Sequence, residues 1–345
     1  MIEDRRLTDN HLILGKVKDF PCQKNYAPQS NKVYSTSANV HAGQRKLLMS
    51  EIQFMTRVHK ERIGVGSDAS FLCVYAGACP CTHLNVLMEM FPHVCFVLVD
   101  PAFSKPEHAH QVKRWDPSRV VVWKEMFNSN TVSIINAWRG LPDVKYRNAQ
   151  FETMPCQYHP YFKDLDQLRL VNWNSSEDLL FISDVRLSAH NEDSIGVDMD
   201  MQSCWFHELH ATNGLMKFRL PYVTKEWMAN RNGHNCKRKY MEGDVYMPIW
   251  GPRSTTECRL FVYRGCGTKE YDPVLHENQF AGFNQLDRKM SYIYRGEHFK
   301  SFDEAATYVV ISNYINYITE FTPPPDYNLV GYRHGKDISM RIREM

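Results

Sequence analysis

Residues 71–100, FLCVYAGACPCTHLNVLMEMFPHVCFVLVD, set the architecture of this chain. They begin with five apolar, β-rich residues at 71–75, a pattern typical of a strand that is buried on both faces of a parallel sheet. After a short turn, apolar residues recur every three or four positions from Leu84, which predicts a helix that ends at Pro92. A further apolar run at 94–99 predicts a second strand. The stretch is therefore interpreted as one strand–turn–helix–strand unit.

A carboxylate, Asp100, closes the second strand about 25 residues after the first strand ends. Doubly wound folds use a carboxylate at this place to hydrogen-bond the ribose diol of a nucleotide cofactor. The usual glycine fingerprint is missing, because Gly77 is the sole glycine of the turn. The unit is interpreted as a cradle for a small-molecule cofactor, and a plain βαβ unit that binds nothing is the alternative.

Composition excludes several classes of protein. The 345 residues carry 41 basic and 39 acidic side chains, so no overall charge points to a nucleic-acid partner. No apolar run reaches the roughly 20 residues that a membrane span needs. The ten cysteines are scattered and follow no signal peptide, which indicates reduced thiols. A soluble, intracellular protein is expected, in either the nucleus or the cytoplasm.

Pattern changes along the chain predict three parts. Residues 1–40 are polar and are expected to form an arm that lies on the body of the protein. Residues 41–300 alternate strand and helix patterns, which predicts an α/β domain whose central, mostly parallel sheet is flanked by helices. Within it, residues 128–177 show few periodic signals and are interpreted as a long irregular insertion. Residues 301–345 begin with a capping box, SFDE, and are predicted to form a helix to about residue 321 and then a tail.

Further elements are predicted between Gly43 and Tyr263. One helix begins at Gly43, and another, at 194–212, is expected to end with Asn213-Gly214 as its C-cap. Additional strands are predicted at 119–123, 179–183, 216–222 and 259–263. The run NRNGHNCKRKYMEGD is interpreted as a charged loop. Its basic side chains either contact RNA phosphates or are simply solvated; they are Arg231, His234, Lys237, Arg238 and Lys239.

Two short motifs are not expected to bind a metal. His207 and His210 are three residues apart, whereas the zinc-peptidase helix needs a spacing of four, so this run is interpreted as an exposed helix surface. Cys79-Pro80-Cys81 is spaced too closely for a zinc knuckle. No metal site is predicted.

Lys217 is an unusual residue, since it lies inside the apolar run LMKFRLPY. Its ammonium group either reaches solvent or is buried beside carboxylates, because an unpaired buried charge is too costly. If it is buried, desolvation and Lys46 would lower its pKa, while Asp184 and Glu257 would raise it. A lysine tuned in this way is a candidate general base for a hydroxyl group.

Six segments in one order resemble a known family: HAGQRKLLMSEIQFM, VYAGACPCTHL, FVLVDP, LLFISDVR, LMKFRLPY and TECRLFVYRG. They are similar to the poxvirus-type cap-specific nucleoside-2'-O-methyltransferases, a family that includes the small subunit of poxviral poly(A) polymerase and kinetoplastid cap methyltransferases. The resemblance covers roughly residues 41–265. It implies a Rossmann-like, S-adenosylmethionine-dependent methyltransferase.

The resemblance also implies site residues. Those of the catalytic tetrad are Lys46, Asp184, Lys217 and Glu257. Those of the S-adenosylmethionine site are Gln44, Tyr75, Gly77, His83, Asp100 and Asp184. Those that contact RNA or the methylated guanine of the cap are Tyr26, Arg186, Tyr222 and Asp287. Two aromatic faces and a carboxylate suit a cationic, N7-methylated guanine.

Three positions depart from the family pattern. Cys81 replaces a second glycine, and its side chain would crowd the methionine end of the cofactor or force a different turn. Ala102 replaces an arginine that contacts the cofactor, and Thr224 replaces an acidic cap-binding residue. These departures leave room for more than one function.

The expected function is methylation of the ribose 2'-hydroxyl of a nucleotide at or near the 5' end of capped mRNA, with Lys217 as the hydroxyl-orienting base. The first alternative is a non-catalytic RNA-binding or processivity subunit of an mRNA-modifying complex such as a poly(A) polymerase. The second is a 2'-O-methyltransferase of ribosomal or transfer RNA. The expected partners are the capped mRNA 5' end and other mRNA-processing proteins.

Overall fold

The structure, a computed structural model, describes residues 5–25, 37–63, 71–139, 178–187, 192–222 and 237–321. The helices of these ranges are α1 (Ser37–Ile63), α2 (Leu84–Met90), α3 (Pro106–Val112), α4 (Ser129–Trp138), α5 (Glu192–Glu208), α6 (Pro273–Gln285) and α7 (Phe302–Phe321). The strands are β1 (Arg5–Arg6), β2 (Phe71–Ala76), β3 (Val94–Val99), β4 (Val120–Trp123), β5 (Asp178–Ser183), β6 (Asn213–Phe218), β7 (Arg238–Met241), β8 (Asp244–Tyr246), β9 (Cys258–Tyr263), β10 (Thr268–Tyr271), β11 (Tyr292–Tyr294) and β12 (Glu297–Phe299).

A central sheet of seven strands carries the fold, in the order β4-β3-β2-β5-β6-β9-β8. The pairs from β4 to β6 are parallel, and β9 runs antiparallel to both β6 and β8. Every residue of β2 and β3 is buried, as their uninterrupted apolar sequence predicts. The predicted mixed α/β fold with a mostly parallel central sheet is confirmed, and the sheet order is compatible with a Rossmann-like fold.

The strand–turn–helix–strand unit forms as its sequence predicts. Strand β2 pairs with β3 from Phe71↔Val94 to Ala76↔Val99. Helix α2 connects them and buries Leu84 and Leu87. On the other side of β2 lies β5, so the chain crosses over between these two strands. In open α/β sheets ligands bind beyond the carboxyl ends of the strands at such a crossover.

Two predictions differ from the structure: the position at which the first helix begins, and the irregular conformation expected at the start of residues 128–177. Helix α1 begins at Ser37 instead of Gly43. The segment predicted to be irregular begins with α4, in which Asn128 is the N-cap and its side chain accepts hydrogen bonds from the N–H groups of Asn130 and Thr131. The prediction of an irregular start is therefore wrong, and residues 140–177 lie outside the described part of the chain.

Two further predictions are wrong. Helix α5 ends at Glu208, and Asn213-Gly214 begins strand β6 instead of capping the helix. Gly214 is needed there for packing, because a Cβ atom would lie 2.9 Å from the Phe206 ring. The described part of the charged run is not a simple loop, since it contains β7 and the first residue of β8. No alternating pattern in RKYM marks β7 as a strand, and the strand forms through its pairing with β10.

The described part of the N-terminal arm, residues 5–25, packs on the body as expected. It buries Leu7, Leu12 and Phe20, and Phe20 stacks on Phe302 of α7. Gly282 of α6 allows the closest approach, because a Cβ atom there would lie 1.6 Å from the Cys22 carbonyl oxygen. The arm and α6 are thus fitted directly against each other.

Within the described ranges, no helix combines the length and the apolar character that crossing a bilayer requires. The described residues likewise contain no group of three or more His, Cys, Asp or Glu side chains that could hold a metal ion.

Candidate active site

The pairing registers place five predicted or newly found residues in one line across the sheet. Asp100 and Asp184 directly follow Val99 and Ser183, the residues that pair with Ala76, so both flank Gly77. Ser183 pairs with Met216, which places Asp184 level with Lys217, and Lys217 pairs with Arg259. We call this line, from Asp100 through Gly77, Asp184 and Lys217 to Arg259, the edge row.

Gly77 occupies a position of the edge row, between Asp100 and Asp184, that glycine fits best. Its φ is +71°, in the left-handed region that favours glycine. A Cβ atom would lie 3.0 Å from both the Asp184 carbonyl carbon and the Val185 nitrogen. The loops after β2 and β5 can approach each other closely for this reason.

Lys217 lies beside carboxylates, and most of its side chain is covered. Its Nζ lies 2.9 Å from Asp184 Oδ1 and 3.6 Å from Glu257 Oε2, and its side chain is 13% exposed. Lys46, on α1, lies 2.5 Å from Glu257 Oε1. The structure thus brings together the four residues of the predicted tetrad, from α1, the end of β5, β6 and the residue before β9.

Arg259 also belongs to this group, although the sequence analysis missed it. Its guanidinium donates to Asp184 Oδ1 at 2.6 Å and lies 3.5 Å from Glu257 Oε1. Arg259 is only 2% exposed. The available signal was the one used for Lys217, namely a charged residue inside an apolar strand, here in TECRLFVYRG.

Arg186 completes what we call the ion cluster, which consists of Lys46, Asp184, Arg186, Lys217, Glu257 and Arg259. The Arg186 guanidinium donates to Glu257 Oε2 at 2.9 Å. Four cations therefore contact two carboxylates. The nearby Asp198 carboxyl holds the Leu187 N–H at 3.1 Å, and burial raises its pKa. The surplus of positive charge favours an anionic ligand.

The ion cluster shifts the titration of its own members. Burial acts to raise the pKa of the Asp184 carboxyl, but the Lys217 and Arg259 cations outweigh it and hold that pKa below its ordinary value. Burial also acts to raise the pKa of Glu257, but the nearby Lys217 and Lys46 cations outweigh it and hold that pKa well below its usual range. Burial lowers the pKa of Lys46, although Glu257 opposes it. Both carboxylates are thus kept ionised.

Gln44 and His83 are joined beneath the turn that follows β2. The Gln44 Oε1 atom accepts a hydrogen bond from the Thr82 N–H at 3.0 Å and lies 3.0 Å from His83 Nδ1. His83 Nε2 lies 2.6 Å from Glu51 Oε2, and both of these side chains are completely buried. Glu51 was not predicted. This chain of bonds ties the turn to α1.

The remaining predicted cofactor residues, Tyr75 and Asp100, lie near the carboxyl ends of β2 and β3. Asp100 is half-buried, and its carboxylate accepts the N–H groups of Ala102 at 2.8 Å and Cys79 at 3.2 Å. Tyr75 is 1% exposed within β2, and burial raises the pKa of its hydroxyl well above the ordinary value. The two hydrogen bonds fix the orientation of the Asp100 carboxylate and leave it further lone pairs.

Cys81 has a backbone conformation that favours glycine. Its φ is +49°, so the turn remains left-handed at this position. The residue is completely buried, and burial together with the Glu51 carboxylate and the Cys73 thiol raises the pKa of its thiol. The Cys81 side chain therefore lies in the core, and the effect of Cys81 on cofactor binding stays a prediction.

The residues predicted to contact the cap are only partly described. Tyr222 is half-buried, its backbone N–H donates to Glu192 Oε2 at 2.8 Å, and the Arg219 guanidinium lies 4.1 Å from the centre of its ring. Tyr26 and Thr224 lie outside the described residues. Pairing of the two tyrosine rings around a methylated guanine therefore stays a prediction.

Asp287 has a different environment from the one predicted. Its side chain is fully buried, and its two oxygens accept hydrogen bonds from the Arg5 guanidinium and, at 2.8 Å, from the Cys22 N–H. We call this contact of Arg5, Cys22 and Asp287 the Asp287 junction. It ties the N-terminal arm to the body, and the Asp287 side chain has no exposed surface through which a cap base could contact it.

Two surface predictions are also modified. His207 and His210 are exposed as expected, but Glu208 between them is buried and bonds to Cys204 and Ser129, so the motif is not simply an exposed surface. In the charged run, Arg238 donates to Asp200 at 2.6 Å, whereas Lys239 is exposed. Arg231 and His234 lie outside the described ranges.

Comparison with known proteins adds one finding. Residues 16–138 match the family described as Poly A polymerase regulatory subunit. This match includes Lys46, Gly77 and Asp100 but ends before β5. No curated protein matches the chain. The match supports, at a coarse level, the predicted relation to poly(A) polymerase subunits and a role in mRNA processing.

Proposed function

We propose that this protein transfers a methyl group from S-adenosylmethionine to the ribose 2'-hydroxyl of a nucleotide at or near the 5' end of capped mRNA. The observation that carries the proposal is the edge row, which places the candidate base Lys217 two positions from Gly77. A cofactor at the carboxyl ends of β2 and β3 would therefore adjoin the ion cluster.

The residues present fit S-adenosylmethionine. Asp100 has an oriented carboxylate with free lone pairs for a ribose diol. The Gln44 oxygen is used by Thr82, which leaves its amide N–H groups as donors for a carboxylate, and they have no partner among the described residues. When bound, S-adenosylmethionine supplies an electrophilic methyl group on a sulfonium.

Lys217 would position the nucleophile. Its Nζ is held between Asp184 and Glu257 and remains partly accessible, so it can bond the ribose hydroxyl and, as the hydroxyl-orienting base, would take up the O2' proton as the methyl group is transferred. Lys46 and Arg259 keep the two carboxylates in place. The surplus positive charge of the ion cluster would attract the phosphates that flank this ribose.

A transfer assay tests this mechanism. Purified protein with labelled S-adenosylmethionine and cap-0 RNA should yield a methylated ribose, with nuclease mapping to locate the nucleotide. Lys217→Ala should lower the rate by about 10² to 10⁴, the range that a general base contributes, while calorimetry shows unchanged cofactor binding. The matched control is Lys269→Ala, at an exposed strand lysine. Full activity in Lys217→Ala would remove this residue from the mechanism.

A second candidate is a non-catalytic RNA-binding subunit that acts with a poly(A) polymerase. The family match to poly(A) polymerase regulatory subunits favours it directly, and Ala102 in place of a cofactor-binding arginine is in accord with it. Calorimetric titration separates the two candidates, because absence of S-adenosylmethionine binding at millimolar concentration supports the subunit role. Competition by free cap analogue would in turn separate cap-directed methylation from methylation of ribosomal or transfer RNA.

A further inference from the structure

The neighbouring arginines of β1 have opposite environments. Side chains alternate between the two faces of a strand, and Arg5 uses one face to reach the buried Asp287 carboxylate. Arg6 is exposed and has no carboxylate partner among the described residues. Arg5 is therefore used to hold the fold together, whereas Arg6 is available to a ligand.

Arg6 lines a cavity of about 490 Å³ between the N-terminal arm and the β11–β12 hairpin. Strands β1 and β11 are parallel, and the Leu7 N–H still donates to the Ile293 carbonyl at 2.8 Å. Beyond this bond the two chains separate, one into a 3-10 helix at Asp9–Leu12 and the other into a hairpin turn. The cavity thus lies at the carboxyl ends of two parallel strands, and its volume is within the roughly 300–1,000 Å³ of ligand sites.

The hairpin turn presents a second arginine to the same cavity. Arg295 and Gly296 both have positive φ, +50° and +86°, as the two central residues of a tight hairpin turn require. The Arg295 guanidinium lies 5.4 Å from the centre of the Tyr294 ring. Thr8 and Asn10 also line the cavity, and the Thr8 hydroxyl lies 2.9 Å from His11 Nδ1.

One carboxylate, Asp9, also lines the cavity, and its hydrogen-bonding capacity is partly used. Its Oδ1 accepts a hydrogen bond from the Tyr294 hydroxyl at 3.1 Å, and its Oδ2 accepts one from the Asn313 amide at 3.4 Å. The lining therefore contains two guanidinium groups against one carboxylate that already has two donors. Its net character is positive and rich in donors.

We propose that this cavity binds the phosphate backbone of single-stranded RNA, separately from the ion cluster. Two guanidinium groups match the oxygens of phosphate groups, and a positively charged groove is what single-strand binders use to follow the nucleic-acid backbone. None of its lining residues belongs to the ion cluster. RNA that continues away from the reacting nucleotide would gain a second point of attachment here.

The test measures binding of a fluorescent, uncapped oligoadenylate to the full chain by anisotropy. Arg6→Gln/Arg295→Gln should weaken binding roughly tenfold at low salt and should reduce the slope of log affinity against log salt by about 1.4, since each phosphate contact on a single strand contributes about 0.7. The matched control is Lys113→Gln/Arg114→Gln, which removes two exposed adjacent charges elsewhere on the surface. The control should retain the slope of the unaltered protein.

Thermal unfolding shows whether each variant is folded. A second variant, Arg6→Lys/Arg295→Lys, keeps both charges and is therefore expected to retain most of the salt dependence of binding. The proposal would be overturned if the Gln variant and the control lost RNA affinity equally, or if neither lost any. Adenosine monophosphate that displaces the oligonucleotide at equal concentration would also overturn it, because the site would then recognise a mononucleotide. The assay uses neither a cap nor S-adenosylmethionine, so its result is independent of the proposed methyl transfer.

Discussion

The ion cluster and the Asp287 junction are two carboxylate sites of the same chain that differ in charge balance and in exposure. In the ion cluster four cations share two carboxylates, and the Asp184 and Glu257 side chains are 21% and 20% exposed. In the junction a single carboxylate has no exposed surface, and it has one cation and one N–H as partners.

This difference separates a site that is arranged for a substrate from one that holds two segments together. A carboxylate with no exposed surface, as at Asp287, cannot be reached by a ligand in this arrangement. A cluster with more cations than carboxylates, which solvent can reach, keeps positive charge and hydrogen-bond donors for a ligand. The family resemblance implied roles in catalysis for Asp184 and Glu257 and in cap binding for Asp287, and only the partners of these carboxylates in the folded chain distinguish the two sites.

The largest expected effect concerns Arg259, which holds both carboxylates of the ion cluster. Arg259→Gln should lower kcat for methyl transfer by roughly 10²-fold, because misplacement of reacting groups by about 1 Å has a cost of this size. The KM for S-adenosylmethionine should change little, and Arg259→Lys should restore part of kcat. Steady-state kinetics with both substrates measures this split.

The matched control for Arg259 is Arg264→Gln, which alters an exposed arginine just beyond the same strand. A kcat for Arg259→Gln equal to that of the control would show that the ion cluster does not need Arg259. Loss of kcat in both variants would point to a general disturbance of β9.

An intermediate effect is expected at the Asp287 junction. Asp287→Asn should reduce the free energy of unfolding by about 1–2 kcal/mol, less than for closed ion pairs because the Arg5 side chain is 37% exposed. The loosened arm should raise the KM for capped RNA and leave kcat unchanged. Urea unfolding and steady-state kinetics measure the two quantities.

Asp19→Asn is the control for this change, because Asp19 is exposed on the same arm and asparagine tolerates its positive φ. If Asp287→Asn lowers kcat with unchanged KM, the carboxylate acts on the chemistry and the contrast between the two sites fails.

The smallest expected effect is a pH dependence confined to the ion cluster. The folded pKa of Glu257 lies below its ordinary value of about 4.3, so its stabilisation is complete above that pH and is lost as the pH falls through the lower, folded pKa. The difference in unfolding free energy between the unaltered protein and Glu257→Gln should thus be constant from pH 7 to about 5. It should shrink by roughly 1 kcal/mol or more at lower pH. Urea unfolding from pH 7 to about pH 3 tests this, and a difference that grows on acidification would contradict it.

Local patterns were enough for much of the fold. The apolar runs around Gly77, the helical spacing of α2 and the strand-end carboxylate Asp100 are properties of contiguous residues, so they could be read directly. Lys217 was found because a charge inside an apolar run needs a partner wherever the strand lies. The same rule applied to Arg259, but the family pattern directed attention to the glutamate two residues before it.

Long-range contacts were not readable in this way. Strand β9 inserts antiparallel beside β6, and this pairing alone sets Arg259 opposite Lys217 and within 2.6 Å of Asp184. Asp287 meets the Cys22 N–H across 265 positions of sequence. Register between strands and contact between distant segments depend on how the whole chain packs, since each is chosen by the burial of many side chains together. The sequence thus determines the residue types of the candidate site, whereas tertiary packing determines the charge balance and the accessibility of that site.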